Sequence, residues 1–304
     1  MTKPTIGVIG VGLMGAGIAS CLMSAGHKII LLAHRNREPL KPLLARGALE
    51  AENARSLLQR SDILLTCVPN ADVVTALAEE LMPEFRAGHL WIDVTTSRPQ
   101  TSQNIALALY SKGAAFADAP VTGGPQEASE GKLVSLIGCE EEYFAEVSAI
   151  VETYSKTVRR FGAPGAGHAA KLLNNLVTQG TIVLLSDAYN CASILGVDRA
   201  ALYDVMMSGA AKSGSLEKAV GPALKGDFSG ARFSIANAAK DLHYASDMFG
   251  QHAIDKQPLA QMLAARLDEL VEQGRGNNFV STMFDPTLNK AGAEQIHLEN
   301  RKTE

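Results

Sequence analysis

The chain is 304 residues long, 46% hydrophobic and 20% charged, with a formal net charge of -4. That length points to two domains, and that composition to a folded protein rather than a disordered or fibrous one. Nucleic acid and anionic membranes demand clustered positive charge, so both are disfavoured as main partners.

Up to about residue 161, short β-rich runs alternate with longer amphipathic stretches, the pattern of a parallel sheet with helices on both faces. The spacing predicts strands over Thr5 to Ile9, Lys28 to Leu32, Ile63 to Val68, Leu90 to Val94, Ala115 to Asp118, Val134 to Ile137 and Thr157 to Arg160. Helices are predicted between them, among others over Gly15 to Ser24, Ala71 to Leu81 and Pro99 to Lys112. Gly162, Pro164, Gly165 and Gly167 then crowd together and the β-rich runs cease, which places a domain boundary between 162 and 163.

Beyond it no proline interrupts Ala166 to Leu195 and Gly196 stops the run, so one long helix is expected. Its many apolar residues predict a buried helix, on which His168, Lys171, Asn174, Asn175 and Thr178 form one polar stripe at helical spacing. Further helices are expected over Arg199 to Ser208 behind an Asp198 cap, over Phe233 to Phe249, and from Pro258 to near Gly274. The fold class is therefore α/β, a doubly wound sheet followed by an all-α domain over 163–304.

Two apolar stretches invite a membrane reading. In Ile6 to Gly26 the five glycines from Gly7 to Gly17 would weaken a membrane helix, and they suit a strand, a turn and a helix. Asn174, Asn175, Thr178 and Gln179 break the other run well short of the ~20 residues a span needs. Cys21, Cys67, Cys139 and Cys191 form no Cys-x-x-Cys pair, and the histidines lack metal-ligand spacing. A soluble, cytoplasmic protein without a metal is expected.

Gly10-Val11-Gly12-Leu13-Met14-Gly15 directly follows the first strand and fits G-x-G-x-x-G. The first glycine permits a sharp turn, the second lets backbone approach a pyrophosphate, and the third lets helix pack on strand. The acidic residue that would hold an NAD ribose is missing at the end of the second strand. Ala33-His34-Arg35-Asn36-Arg37 offers two guanidinium groups there instead, so NADP is favoured over NAD, unless these arginines merely solvate a loop. Thr95 and Thr96 stand at the carboxyl end of a later strand, the edge where such sheets bind ligands, so either could touch the nicotinamide side; Val68, Pro69 and Thr96 are expected among the cofactor contacts.

Asp118-Ala119-Pro120-Val121-Thr122-Gly123-Gly124 sets two glycine amides beside a hydroxyl, a combination suited to gripping a substrate carboxylate. Lys171 is read as the proton-transferring residue, because burial and a nearby cationic ring would disfavour its ammonium form. Asn175, one turn on, is placed to hold the substrate hydroxyl or the lysine in line. Lys240 in Ala239-Lys240-Asp241-Leu242 could equally be an ordinary helix cation beside Asp241.

Four separated motifs resemble those of the β-hydroxyacid dehydrogenases, the family of 3-hydroxyisobutyrate dehydrogenase and tartronate semialdehyde reductase. They are Gly10 to Gly15, then Asp118 to Gly124 running into Gly131-Lys132-Leu133, then Gly165 to Asn175, and finally Lys240-Asp241-Leu242. The resemblance implies a Rossmann domain over 1–162 and a helical domain like the C-terminal one of 6-phosphogluconate dehydrogenase, joined by a long helix, with the active site between them. It implies hydride transfer between a small β-hydroxyacid and a nicotinamide cofactor. Lys171 and Asn175 match the catalytic pair, and Thr122, Gly123 and Gly124 the substrate loop. Thr96 and Lys240 match contacts to cofactor or substrate, and a homodimer or homotetramer is implied.

Three departures stand out. Thr122 replaces a commoner serine, Ala33-His34-Arg35 replaces an Asn-Arg pair, and Gly276-Asn277-Asn278-Phe279 departs from an acidic pattern. Two rivals remain open, an imine reductase and a non-catalytic dinucleotide-binding scaffold. Lys171 argues against the first, and the joint presence of Lys171, Asn175 and the Thr-Gly-Gly loop against the second.

Overall fold

The computed structural model describes residues 3–32, 36–251 and 259–288. The chain divides into two compact units, Met1–Leu172 and Leu173–Glu304. Among the described residues, nine strands form one sheet in the first unit. They are β1 (Thr5–Ile9), β2 (Lys28–Leu32), β3 (Leu49–Ala51), β4 (Ile63–Thr66), β5 (Leu90–Asp93), β6 (Ala115–Asp118), β7 (Val121–Thr122), β8 (Leu133–Gly138) and β9 (Ser155–Gly162). The order runs β3-β2-β1-β4-β5-β6-β8-β7, with β9 on β8. All pairs from β3 through β6 are parallel, and β8 runs antiparallel to both β6 and β7.

The chain winds outward from β1 to β3, returns, and winds the other way from β4. That reversal opens a crevice at the carboxyl ends of β1 and β4, where doubly wound sheets bind ligands. Helices α1 (Leu13–Ser24), α2 (Lys41–Ala45), α3 (Ala54–Gln59), α4 (Ala71–Leu81), α5 (Pro99–Tyr110), α6 (Pro125–Ser129) and α7 (Phe144–Val151) cover both faces. Strand alternation supplies two separate cores. Ile6, Val8, Ile63, Leu65, Leu90 and Ile92 pack with α1 on one side, while Ile9, Leu64 and Trp91 pack with α3, α4 and α5 on the other. Strands buried on both faces explain why these runs read as continuously apolar.

Helix α8 (Ala166–Leu195) starts in the first unit, and the second is built on its continuation from Leu173 with α9 (Arg199–Ser208), α10 (Gly221–Ala223), α11 (Ile235–Gln251) and α12 (Leu259–Leu270). Ile182, Val183, Leu185 and Tyr189 of α8 share a core with Ile235, Ala238, Ala239 and Leu242 of α11 and with Leu263 and Leu267 of α12. The i, i+3, i+4, i+7 spacing on α11 is the amphipathic stripe that lets it pack. Asp198 caps α9 as its sequence position implies, accepting from the Ala200 and Ala201 amides at 2.8 and 3.1 Å. None of the described helices is long and apolar enough to cross a membrane.

Several elements differ from the sequence expectation. The strands β3 and β7, of three and two residues, and the helices α2, α3, α6 and α7, of five to eight, fall outside the sequence expectation, being too short for a strand or a helix of their kind to show its period. Helix α8 begins and ends where expected but is not buried all round: Leu173, Val177 and Leu184 are 46%, 67% and 64% exposed. Its apolar excess beyond one stripe has no cover within the described chain. The polar stripe divides too, with His168, Lys171 and Asn175 buried and Asn174 turned outward.

Candidate active site

The glycine loop takes the conformation its spacing implies. Gly10 has φ 97°, a left-handed geometry that favours glycine. A Cβ there would collide with the Cys67 carbonyl, and one at Gly15 with the Gly10 carbonyl. At Gly12, by contrast, a Cβ would meet nothing within 4 Å, so the backbone is open on that side. Gly12 starts α1 with no side-chain cap and no acidic residue in the first turn. An uncapped helix start with an open backbone suits a phosphate group, so these residues fit a dinucleotide. Leu13 is exposed at this rim and Met14 is half-buried against the core.

His34 and Arg35 lie outside the described residues. Arg37 is engaged elsewhere, its guanidinium 2.7 Å from Glu50 Oε2 on β3. Val68 and Pro69 follow β4, and the Val68 amide donates to Thr95 Oγ1 at 3.1 Å. That bond ties the β4 loop to the β5 loop and gives the buried Thr95 hydroxyl a structural partner. Thr96, next along, is half-buried.

Below these loops the carboxyl ends of β5 and β6 carry two fully buried carboxylates. Asp93 Oδ1 accepts from Thr66 Oγ1 at 2.8 Å and from the Thr95 amide at 3.1 Å. Burial raises its carboxyl to about 6. Asp118 accepts from the Gly165 amide through Oδ1 and from the His168 amide through Oδ2, both at 2.6 Å. Burial holds it at about 7 even so. Cys67 beside Asp93 is pushed up to about 12, first by burial and then by that carboxylate, so its thiol stays protonated.

The loop over Thr122, Gly123 and Gly124 is built by β7 and α6. Thr122 pairs with Val134 of β8, and Gly123 has φ 118°. The Gly124 amide is not open as its motif suggests: it donates to Glu127 Oε2 at 2.9 Å. Gly124 starts α6, and Glu127 three residues on reaches back to it, the acidic half of a capping box. The Gly-x-x-Glu spacing was the available signal for this bond.

On α8, His168 and Lys171 are buried one turn apart, and Asn175 follows after another. Within the second unit Asn175 Nδ2 donates to Asp241 Oδ2 at 2.6 Å. The other oxygen of Asp241 is 2.8 Å from Lys240 Nζ, which also lies 5.0 Å over the Tyr244 ring. Asp241 is 1% exposed and Lys240 20%. The buried carboxylate therefore brings Asn175 and Lys240 together, a role that reading Lys240 alone had missed.

Residues 5–162 match the family model described as the NAD binding domain of 6-phosphogluconate dehydrogenase. Residues 165–286 match the one described as NAD-binding of NADP-dependent 3-hydroxyisobutyrate dehydrogenase. The chain is similar to mitochondrial 3-hydroxyisobutyrate dehydrogenase of Drosophila melanogaster, with 30% identity over 288 residues covering 92% of this chain and 88% of that one. It is similar in structure to 3-hydroxyisobutyrate dehydrogenase of Mycobacterium tuberculosis with L-serine, at TM-score 0.84 and 24% identity over 94% of this chain and 99% of that one. An imine reductase from Pseudomonas sp. is more distant, with TM-score 0.59 and 18% identity over 94% and 99% of the two chains. At such identities these two likenesses show the fold alone.

Proposed function

Because the chain belongs to the β-hydroxyacid dehydrogenase family of the 3-hydroxyisobutyrate dehydrogenase kind, we propose that it interconverts a small β-hydroxyacid and its semialdehyde or oxo acid, with Lys171 as general acid/base. The observation that carries this reading is a buried lysine on α8, one turn before a buried asparagine whose amide is held by Asp241. A nicotinamide cofactor, when bound, supplies the hydride acceptor for oxidation and the hydride donor for reduction.

In oxidation the Lys171 amine takes the proton of the substrate hydroxyl as the carbon–hydrogen bond breaks; in reduction the ammonium returns a proton to the carbonyl oxygen. Asn175 is held at both ends, Nδ2 donating to Asp241 and Oδ1 accepting from Asn174 Nδ2 at 3.1 Å, and the second lone pair of Oδ1 is what it offers to the hydroxyl or to the lysine. Thr122 and Gly123 receive the substrate carboxylate, and the Gly124 amide joins them where the carboxylate displaces Glu127. Lys240 adds positive charge near substrate and cofactor. Gly10, Gly12 and Gly15 hold the pyrophosphate over the first turn of α1, with Leu13, Met14, Val68, Pro69 and Thr96 around the nucleotide.

NADP is favoured over NAD. With Arg37 paired to Glu50, Arg35 is the guanidinium assigned to the 2′-phosphate. The exposed Leu173, Val177 and Leu184 on α8 support a homodimer or homotetramer. The test is a panel of 3-hydroxyisobutyrate, glycerate and L-serine, each with NADP and with NAD, followed by absorbance of the reduced nicotinamide. Turnover of a hydroxyacid with faster rates on NADP is expected. No reduction with any of them overturns the reading.

A further inference from the structure

Asp118 and His168 belong to no role assigned so far, yet the polar side-chain atoms of both hold the first turn of α8. Asp118 is fully buried, and each of its oxygens accepts a backbone amide of that turn at 2.6 Å, from Gly165 and from His168. The His168 ring, also fully buried, holds the turn from the other side. Its Nε2 lies 2.7 Å from the Thr95 carbonyl. A carbonyl only accepts, so Nε2 carries a proton, and Nδ1 lies 2.7 Å from Ser102 Oγ, a hydroxyl able to donate or accept.

A third feature fixes the same turn. Gly167 runs so close to β8 that a Cβ on it would collide with the Leu136 carbonyl and come within 2.8 Å of Asp118 Oδ2. The helix start is thus tied to the end of β6, the loop after β5, the body of α5 and the backbone of β8. Capping alone does not explain the chemistry chosen. The carboxyl of Asp118 is held at about 7 by burial despite two amide donors, whereas a neutral cap would satisfy amides without the cost of burying charge.

We propose that Asp118 and His168 are positioning residues that clamp the first turn of α8 and so fix where Lys171, three residues on, presents its amine. The inference rests on the reading of Lys171 as the proton-transferring group. The helix rises about 1.5 Å per residue, so Lys171 stands within about 5 Å of the clamp along the axis. A shift at the anchor passes to it with little slack, and a misplacement of about 1 Å can cost a factor of about 100 in rate.

The test uses the full chain with the hydroxyacid of the panel that is turned over fastest. In His168→Phe, which loses the donor to Thr95, kcat should fall about 30- to 100-fold, with KM for substrate and cofactor within about threefold. The solvent deuterium isotope effect on kcat should rise, because a displaced amine makes proton transfer limiting; a smaller fraction of folded enzyme leaves that ratio unchanged. His168→Gln, whose amide can donate to the Thr95 carbonyl, should recover most of the loss. Ser102→Ala, a milder change that serves if His168→Phe does not fold, should lower kcat about 3- to 10-fold with the same rise in isotope effect. Hydrogen exchange at the Gly165 and His168 amides should quicken in Asp118→Asn without any substrate present. An unchanged isotope effect with kcat tracking only the nucleotide-binding fraction would overturn the clamp. Lys171→Ala separates the two ideas: if it keeps wild-type turnover the reading of the lysine fails, and if it is inactive while the His168 and Ser102 variants are unimpaired the clamp alone fails.

Discussion

Asp241→Ala removes a carboxylate that holds both Asn175 and Lys240 in the helical unit. Asn175 Nδ2 loses a 2.6 Å charge-assisted bond at a buried site, and leaving such a donor unmet costs about 1.5–3 kcal/mol. Lys240 loses a counter-ion at 2.8 Å, but its side chain is 20% exposed and can turn to water, so that loss adds only about 1 kcal/mol. The sum is about 2.5–4 kcal/mol, or a fall in Tm of roughly 5–16 °C. Urea denaturation followed by circular dichroism measures it, within a double-mutant cycle that includes Asn175→Ala. The two substitutions should couple by about 1.5–3 kcal/mol, since each removes the same bond. Additivity to within about 0.5 kcal/mol would refute the claim that Asp241 holds Asn175.

Three further outcomes are expected. Asp93 and Asp118 both titrate higher folded than unfolded, at about 6 and about 7 against 3.8. The folded state therefore binds more protons between these limits, and stability falls as pH rises from about 4 to about 7. For Asp118 the loss is at most roughly 4.5 kcal/mol at about 1.4 kcal/mol per pH unit, and a urea midpoint that rises from pH 5 to pH 8 would contradict it. Gly10→Ala combines a left-handed backbone with a collision against the Cys67 carbonyl. It should cost at least about 1–3 kcal/mol and weaken nucleotide binding, read by melting and by quenching of the single tryptophan, Trp91. Arg35→Asp should weaken NADPH at least about tenfold more than NADH, and equal losses in a binding titration would count against an arginine on the 2′-phosphate.

Long elements were legible because local chemistry marks their ends. Helix α8 was bounded by the glycines before it and Gly196 after it, and α9 by the Asp198 cap. The β-α alternation and the glycine loop at Gly10 to Gly15 marked a doubly wound parallel sheet, but not its strand order or the antiparallel run of β8. Short pieces such as β3 and β7 carry too few residues to show a period. What the sequence hid were bonds between distant positions: Asp118 meets Gly165 across 47 residues, and Asn175 meets Asp241 across 66. Both acidic residues stood inside quoted motifs, yet nothing local reveals what a buried carboxylate accepts from. The Gly124 bond to Glu127 was within reach, since Gly-x-x-Glu at a helix start is a local pattern. Counting apolar residues on α8 erred for a different reason: burial depends on what covers a face, and Leu173, Val177 and Leu184 have no cover in the described chain.

The most direct measurement is single-turnover hydride transfer by Lys171→Ala, with nucleotide binding checked in parallel by tryptophan fluorescence. A drop of roughly 10²–10⁴-fold in the transfer rate, with the cofactor still bound, is the result this account predicts. Hydroxyacid oxidation at the wild-type rate would contradict it.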